Sequence, residues 1–220
     1  MDVERARFNM IEQQIRPWDV LDGAVLDLLA RVRREDFVPP AYKALAFVDT
    51  QLPLPGGGAM LEPKVEARLL QELQVQRHET VLEIGTGSGF MAALLGHRAL
   101  RVITLECDPA LARAAADRLQ RAGLANVAVR TVGAEAGARG LPGEAPFDVI
   151  VLSGSVAEVP RALLEQLRVG GRLAAIVGDE PVMMARLYTR SGEAAWSEVD
   201  LFETVAPRLA GFPEPSRFHF

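Results

Sequence analysis

The chain has 220 residues, enough for one large domain that folds without disulfide or metal staples. Its 49% hydrophobic and 24% charged residues exclude long disorder. A net charge of −5 argues against a nucleic-acid partner, because phosphate binding needs a concentrated positive field. The single cysteine, Cys107, excludes an intramolecular disulfide. No apolar run approaches the ~20 residues of a membrane span, and the charged N-terminus lacks an apolar signal core. A cytoplasmic, membrane-free protein is expected.

Residues 2–34 read as helical. Phe8, Ile11 and Ile15 recur at three- and four-residue spacing, which predicts one buried face. Pro17 interrupts that helix. Asp22 is placed to N-cap a second helix that carries Val25, Leu26, Leu29 and Val32 inward. Residues 49–63 are punctuated by Pro53, Pro55, Gly56, Gly57, Gly58 and Pro63, so they form a long loop of the kind that often carries function. A third helix follows, with Val65, Leu69, Leu70 and Leu73 on its apolar face.

From Thr80 strands alternate with helices. Strands are expected at 81–84, 101–105, 127–132, 147–152, 172–177, 183–189 and 196–204. Helices are expected at 90–100, 109–122 and 160–167, with a turn at Gly170-Gly171. This alternation predicts an α/β fold, a doubly wound and mostly parallel sheet. Residues 1–78 then form an N-terminal helical extension with a loop, packed on a core of residues 79–220.

Chemistry enters at Val81-Leu-Glu-Ile-Gly-Thr-Gly-Ser-Gly-Phe90. A glycine-rich turn from strand to helix lets backbone approach a ligand, and it points N–H groups at an anion. Gly85, Gly87 and Gly89 follow a G-x-G-x-G spacing, with Thr86 between the first two. A dinucleotide fingerprint would need glycine where Phe90 stands. Glu83 would repel a pyrophosphate but suits the ammonium of a methionine moiety. Glu106 ends the next strand, where a carboxylate can accept from ribose hydroxyls. Together these features point to S-adenosylmethionine, with S-adenosylhomocysteine as product. Cys107 would lie near the ribose, or pack as a small side chain. The third strand runs into Val132-Gly-Ala-Glu135, the expected place of the adenine. Glu135 there could accept from the adenine amino group or be solvated.

The sequence resembles the protein-L-isoaspartate O-methyltransferases over residues 10–177. The markers are Met10-Ile-Glu-Gln-Gln-Ile15, Val32 with Phe37-Val-Pro39, the 53–63 loop, Val81–Phe90, Phe147-Asp-Val-Ile-Val151 and the Pro160–Arg172 segment. The resemblance implies a seven-stranded Rossmann-like sheet under an N-terminal helical lid. It also implies methyl transfer from S-adenosylmethionine to the α-carboxylate of isoaspartyl residues in damaged proteins. The family carries Thr-x-Ser before Gln-Pro in its long loop, and this chain has Ala59-Met60-Leu61-Glu62-Pro63. The hydroxyls at positions 59 and 61 are missing, and Glu62 could repel a carboxylate. The adenine-binding Asp of the family is replaced by Ala134, with Glu135 one position further on. These losses leave the acceptor open: a protein or peptide carboxylate, or a small molecule. Gly56-Gly57-Gly58 N–H groups could hold an anion instead.

Ser153 follows the fourth strand, at the edge where open α/β sheets bind ligands, and is a candidate hydrogen-bond donor on the acceptor side. His78, His97 and His219 are too scattered to suggest a metal site. The aromatic tail Phe212–Phe220 would pack across its own sheet or on a partner. Two further readings stand beside methyl transfer: a cofactor-binding module that has lost chemistry, and a dinucleotide-dependent oxidoreductase. Phe90 and Glu83 count against the second.

Overall fold

The computed structural model describes residues 2–214. Helix α1 (Val3–Met10) continues into a widened π turn at Ile11–Ile15 and a short 3-10 turn at Arg16–Trp18. That widened turn changes the expected face. Arg7, Met10, Ile11 and Ile15 are buried, while Phe8 is 62% exposed. Four-residue spacing from Arg7 to Ile11 to Ile15 matches the wider turn, and Phe8 falls off it. Helix α2 (Gly23–Arg31) is capped by Asp22, whose carboxylate accepts from the N–H groups of Ala24 and Val25.

The long loop contains a small hairpin. Strand β1 (Leu52–Pro53) pairs with β2 (Ala59–Met60), and Gly56 and Gly57 turn between them at φ of +82° and +93°. Helix α3 (Pro63–Leu73) buries Val65, Leu69, Leu70 and Leu73 as its spacing predicts. It also buries Glu66, which lies on the same face.

The remaining strands and helices are β3 (Thr80–Ile84), α4 (Phe90–Gly96), β4 (Arg101–Glu106), α5 (Pro109–Arg121), β5 (Val127–Thr131), α6 (Ala134–Ala138), β6 (Phe147–Val156), α7 (Arg161–Leu164), β7 (Leu167–Asp179), β8 (Val182–Gly192) and β9 (Ala195–Thr204). They build a seven-stranded sheet in the order β5-β4-β3-β6-β7-β8-β9. The first five strands are parallel, and the last two form an antiparallel meander. Strand order reverses at β3, which opens a crevice at the carboxyl ends of β3, β4 and β6.

Three expected elements differ. The helix expected to reach residue 100 ends at Gly96, where it meets the Val127 side chain. The helix expected at 160–167 is one turn long, because β7 already begins at Leu167. Gly170-Gly171 is a bulge inside β7, not a turn before it: pairing with β6 jumps from Phe147–Leu167 to Val149–Arg172.

Alternate strand residues enter two cores. Val81, Val102, Val149 and Val151 meet the N-terminal helices and α4. Leu82, Ile103, Ile150 and Leu173 meet the other face, with Phe212. By this alternation Glu83 shares the face of Val81 and points toward α3. Its neighbours on that face are Thr104 on β4 and Val151 on β6, so a carboxylate stands among mostly apolar side chains.

Candidate functional site: a cofactor cavity beneath the acceptor loop

The carboxyl edge of the sheet holds a cavity of ≈ 230 Å³. Gly85 and Gly87 form its floor, Glu106, Cys107 and Asp108 one side, and Val132 and Ala134 another. The hairpin residues Leu54–Ala59 close it from above. At β6 the pairing with β7 slips between Val151 and Ser155, and the resulting bulge carries Ser153 to the cavity wall.

The glycine loop acts differently from the expected cradle of free donors. Gly85 and Thr86 N–H groups donate to the Leu105 carbonyl, at 2.9 and 3.1 Å, and Gly89 N–H donates to the Thr86 carbonyl. Gly87 N–H donates to Glu106 Oε2 at 2.8 Å. What the glycines supply is room and positive φ. A Cβ on Gly85 would stand 2.7 Å from Leu209 Cδ2, and one on Gly87 would stand 3.0 Å from Leu54 Cδ1. Gly89 does not line the cavity; it lets the start of α4 approach Ala115 on α5.

Glu106 is the fixed anion of the cavity. Besides Gly87, its carboxylate accepts from Cys107 N–H at 2.9 Å and Asp108 N–H at 3.0 Å. Its position is thus set before any ligand arrives; Oε1 takes both Cys107 and Asp108, and Oε2, with Gly87 alone, keeps capacity for a ligand hydroxyl. Partial burial and the Glu106 charge push the Cys107 thiol above its ordinary range, so it stays neutral. The apolar walls Leu105, Leu111, Val132 and Ala134 suit a flat heterocycle between them. The residues therefore fit an adenosyl ligand, with Glu106 placed for its ribose.

Glu83 lies deeper. It is fully buried and accepts from Ser153 Oγ and Thr104 Oγ1, both at 2.7 Å. Thr104 in turn meets the Thr86 hydroxyl at 2.6 Å. Burial raises the Glu83 pKa to about 7 despite these hydroxyl bonds.

The other expected residues separate. Ala59 and Ser153 line both this cavity and a smaller inner chamber, whereas Met60, Leu61 and Thr86 line only the chamber. Ala134 lines the cavity, but Glu135 is exposed and is not part of its wall. Glu62 touches neither space; its Oε1 accepts from Gln51 Nε2 at 3.3 Å. His219 and the last tail residues lie outside the described range, while Phe212 is buried in the core. Among the described residues no group of three or more His, Cys, Asp or Glu could hold a metal.

Sequence patterning missed a strap over the cavity. Pro207, Arg208, Leu209 and Ala210 form one wall. Ser155 holds them: its N–H donates to the Pro207 carbonyl, its carbonyl accepts from Leu209 N–H, and its hydroxyl donates to the Ala206 carbonyl, all at 2.8 Å. Gly211, at φ +82°, packs directly on the Ala134–Glu135 peptide, where a Cβ would overlap backbone. Gly211→Ala is accordingly expected to destabilise the fold by about 2–4 kcal/mol and to weaken cofactor binding. Thermal denaturation with a ligand titration checks both.

The family model for protein-L-isoaspartate(D-aspartate) O-methyltransferase matches residues 5–205. Protein-L-isoaspartate O-methyltransferase 1 of Syntrophobacter fumaroxidans is 40% identical over 179 residues, covering 81% of this chain and 82% of its own. The Syntrophotalea carbinolica protein-L-isoaspartate O-methyltransferase is 38% identical, with 96% of each chain covered. A solved Plasmodium falciparum structure assigned to this family, in complex with S-adenosyl-L-homocysteine, shares the fold. Its TM-score is 0.76 at 17% identity, covering 96% of this chain and 99% of that one. With its seven-stranded sheet and glycine-floored cavity, the chain belongs to the protein-L-isoaspartate O-methyltransferase family and is an S-adenosylmethionine-dependent O-methyltransferase.

Proposed function

We propose that this enzyme methylates the α-carboxylate of isoaspartyl residues in damaged proteins or peptides. The observation that carries this reading is similarity at about 40% identity across most of the chain to proteins named for that reaction. S-adenosylmethionine supplies an electrophilic methyl group, whose bond to sulfur breaks as the bond to the acceptor oxygen forms. A carboxylate is already an anion, so no strong base is required. The chain's task is to orient the two partners and exclude water.

The geometry suits that task. The Leu52–Met60 hairpin roofs the cavity, and Arg34 fixes its exit by donating to the Leu61 carbonyl at 2.8 Å. Glu106 and the glycine floor hold the adenosyl end. Ser153, where cavity and inner chamber meet, gives its one hydroxyl proton to Glu83 Oε1 at 2.7 Å, and Ala59 and Leu61 carry no hydroxyl. Ser153 therefore fixes Glu83, and an incoming carboxylate finds no spare side-chain hydroxyl proton there. The rate is expected to be modest, because a missing hydrogen bond to a charged group costs about 1.5–3 kcal/mol.

Steady-state methylation of an isoaspartyl peptide tests this beside the double variant Ala59→Thr, Leu61→Ser. Wild type should turn over, and the double variant should gain tenfold or more in kcat/KM. Absence of ester formation by both proteins would contradict the proposed acceptor.

A further inference from the structure

The inner chamber is small, about 30 Å³, and lies beyond Ser153. Leu61, Met60 and Met91 give it apolar walls, and Glu66 and Glu83 supply its charge. It shares Ala59, Gly85, Gly87 and Ser153 with the cofactor cavity, so the two spaces adjoin. Sulfonium chemistry in the first would be felt by charges in the second.

Those charges can be counted. Arg34 is buried and pairs with Glu66; it also donates to the carbonyls of Ala46 and Leu61 and lies 4.9 Å from the Phe90 ring centroid. Glu62, the residue before α3, adds a negative field at Glu66, and Glu83 faces it from β3. Glu106 adds to the field at Glu83 from β4. With Glu66 and Glu83 both ionised, the chamber holds two anions against one cation. An arriving carboxylate would add a third anion in a low-dielectric place.

We infer that Glu66 sets the enzyme's tolerance for an anionic acceptor, and that a carboxylate acceptor enters this site together with a proton. The inference rests on the proposed carboxylate acceptor. The proton comes from solvent and resides on the Glu66–Glu83 pair. When Glu66 takes it, the Arg34 charge behind it is no longer neutralised and adds a positive field at the chamber. Burial holds both acids near neutrality, with values raised to about 7, so this exchange falls in the working pH range. The two acids titrate as a pair, and binding an anion raises their joint affinity for protons.

The test is the acceptor KM of wild type and Glu66→Gln, measured from pH 6 to 9 with an isoaspartyl peptide. Its α-carboxylate stays ionised throughout, so the profile reports the enzyme. Wild-type KM should rise above pH 7. Glu66→Gln should flatten that rise and lower KM at pH 8 by about tenfold, the equivalent of one pKa unit of coupling. A purely structural Glu66 would instead lower the melting temperature and kcat while leaving the KM profile parallel to wild type, and that result would overturn the inference. A second measurement needs no variant. Peptide binding to the wild type with S-adenosylhomocysteine present is followed by calorimetry at pH 7 in phosphate and in Tris. Different heats in the two buffers are expected from proton uptake, and equal heats would overturn it. No turnover in either protein at any pH would remove the proposed acceptor reading as well; turnover with parallel profiles would remove this inference alone.

Discussion

Glu106→Ala is expected to weaken S-adenosylhomocysteine binding by about two to three orders of magnitude in a calorimetric titration. The carboxylate accepts three backbone N–H groups, from Gly87, Cys107 and Asp108. Hydrogen bonds to a charged group contribute about 1.5–3 kcal/mol each. Water recovers part of that loss at a cavity edge, but water does not hold Gly87 in the cavity floor. Alanine also removes the acceptor proposed for the ribose hydroxyls, so the ligand's partner and the shape of the floor disappear together. Glu106→Gln should fall between. Its amide keeps one acceptor oxygen, yet its NH2 faces backbone donors. Binding by Glu106→Ala within threefold of wild type would remove Glu106 from the site.

Glu83→Gln should separate stability from function. The folded pKa of about 7 lies above the ordinary 4.5 of a glutamate, so the folded chain holds a proton that the unfolded chain releases. Stability then falls as pH rises through this interval, and the full cost is present above about pH 7. For one such group the cost is about 3 kcal/mol. Glutamine cannot ionise and keeps an oxygen for one of the two hydroxyls. At pH 8 the variant should therefore melt several degrees higher than wild type, with the gap closing toward pH 5. Its cofactor affinity should drop, because the anion proposed to face the methionine ammonium is gone. A melting difference that stays constant from pH 5 to pH 8 would contradict the assignment.

Much of the site was legible because its signals are local. The glycines of 85–89, the acid at or near the end of each of two neighbouring strands and the Asp22 cap are all stated within a few residues. Short apolar runs alternating with helical segments located the strands, and helical spacing located α3. The same rules also carried a signal that is easy to pass over. Glu66 stands at the spacing of Leu69, Leu70 and Leu73, and Glu83 at that of Val81. A charged residue on an apolar face marks a buried polar site in the order of the residues alone.

What stayed hidden depends on distant partners. Arg34 meets Glu66 across 32 positions, and Ser155 meets Ala206 across 51. Neither pairing has a local signature, so the strap of residues 205–212 could not be placed over the cavity. The π turn at Ile11–Ile15 hid for another reason: it shifts a helical face by one residue without any proline or glycine to announce it. The glycine loop was recognised but its working was not. Its N–H groups are bonded within the protein, and the glycines contribute space.

The most direct measurement uses methyl-labelled S-adenosylmethionine and two peptides that differ only in one linkage, isoaspartyl against normal aspartyl. The account predicts a base-labile methyl ester on the isoaspartyl peptide and at most trace label on the aspartyl one. No label on either peptide, or equal label on both, would contradict it.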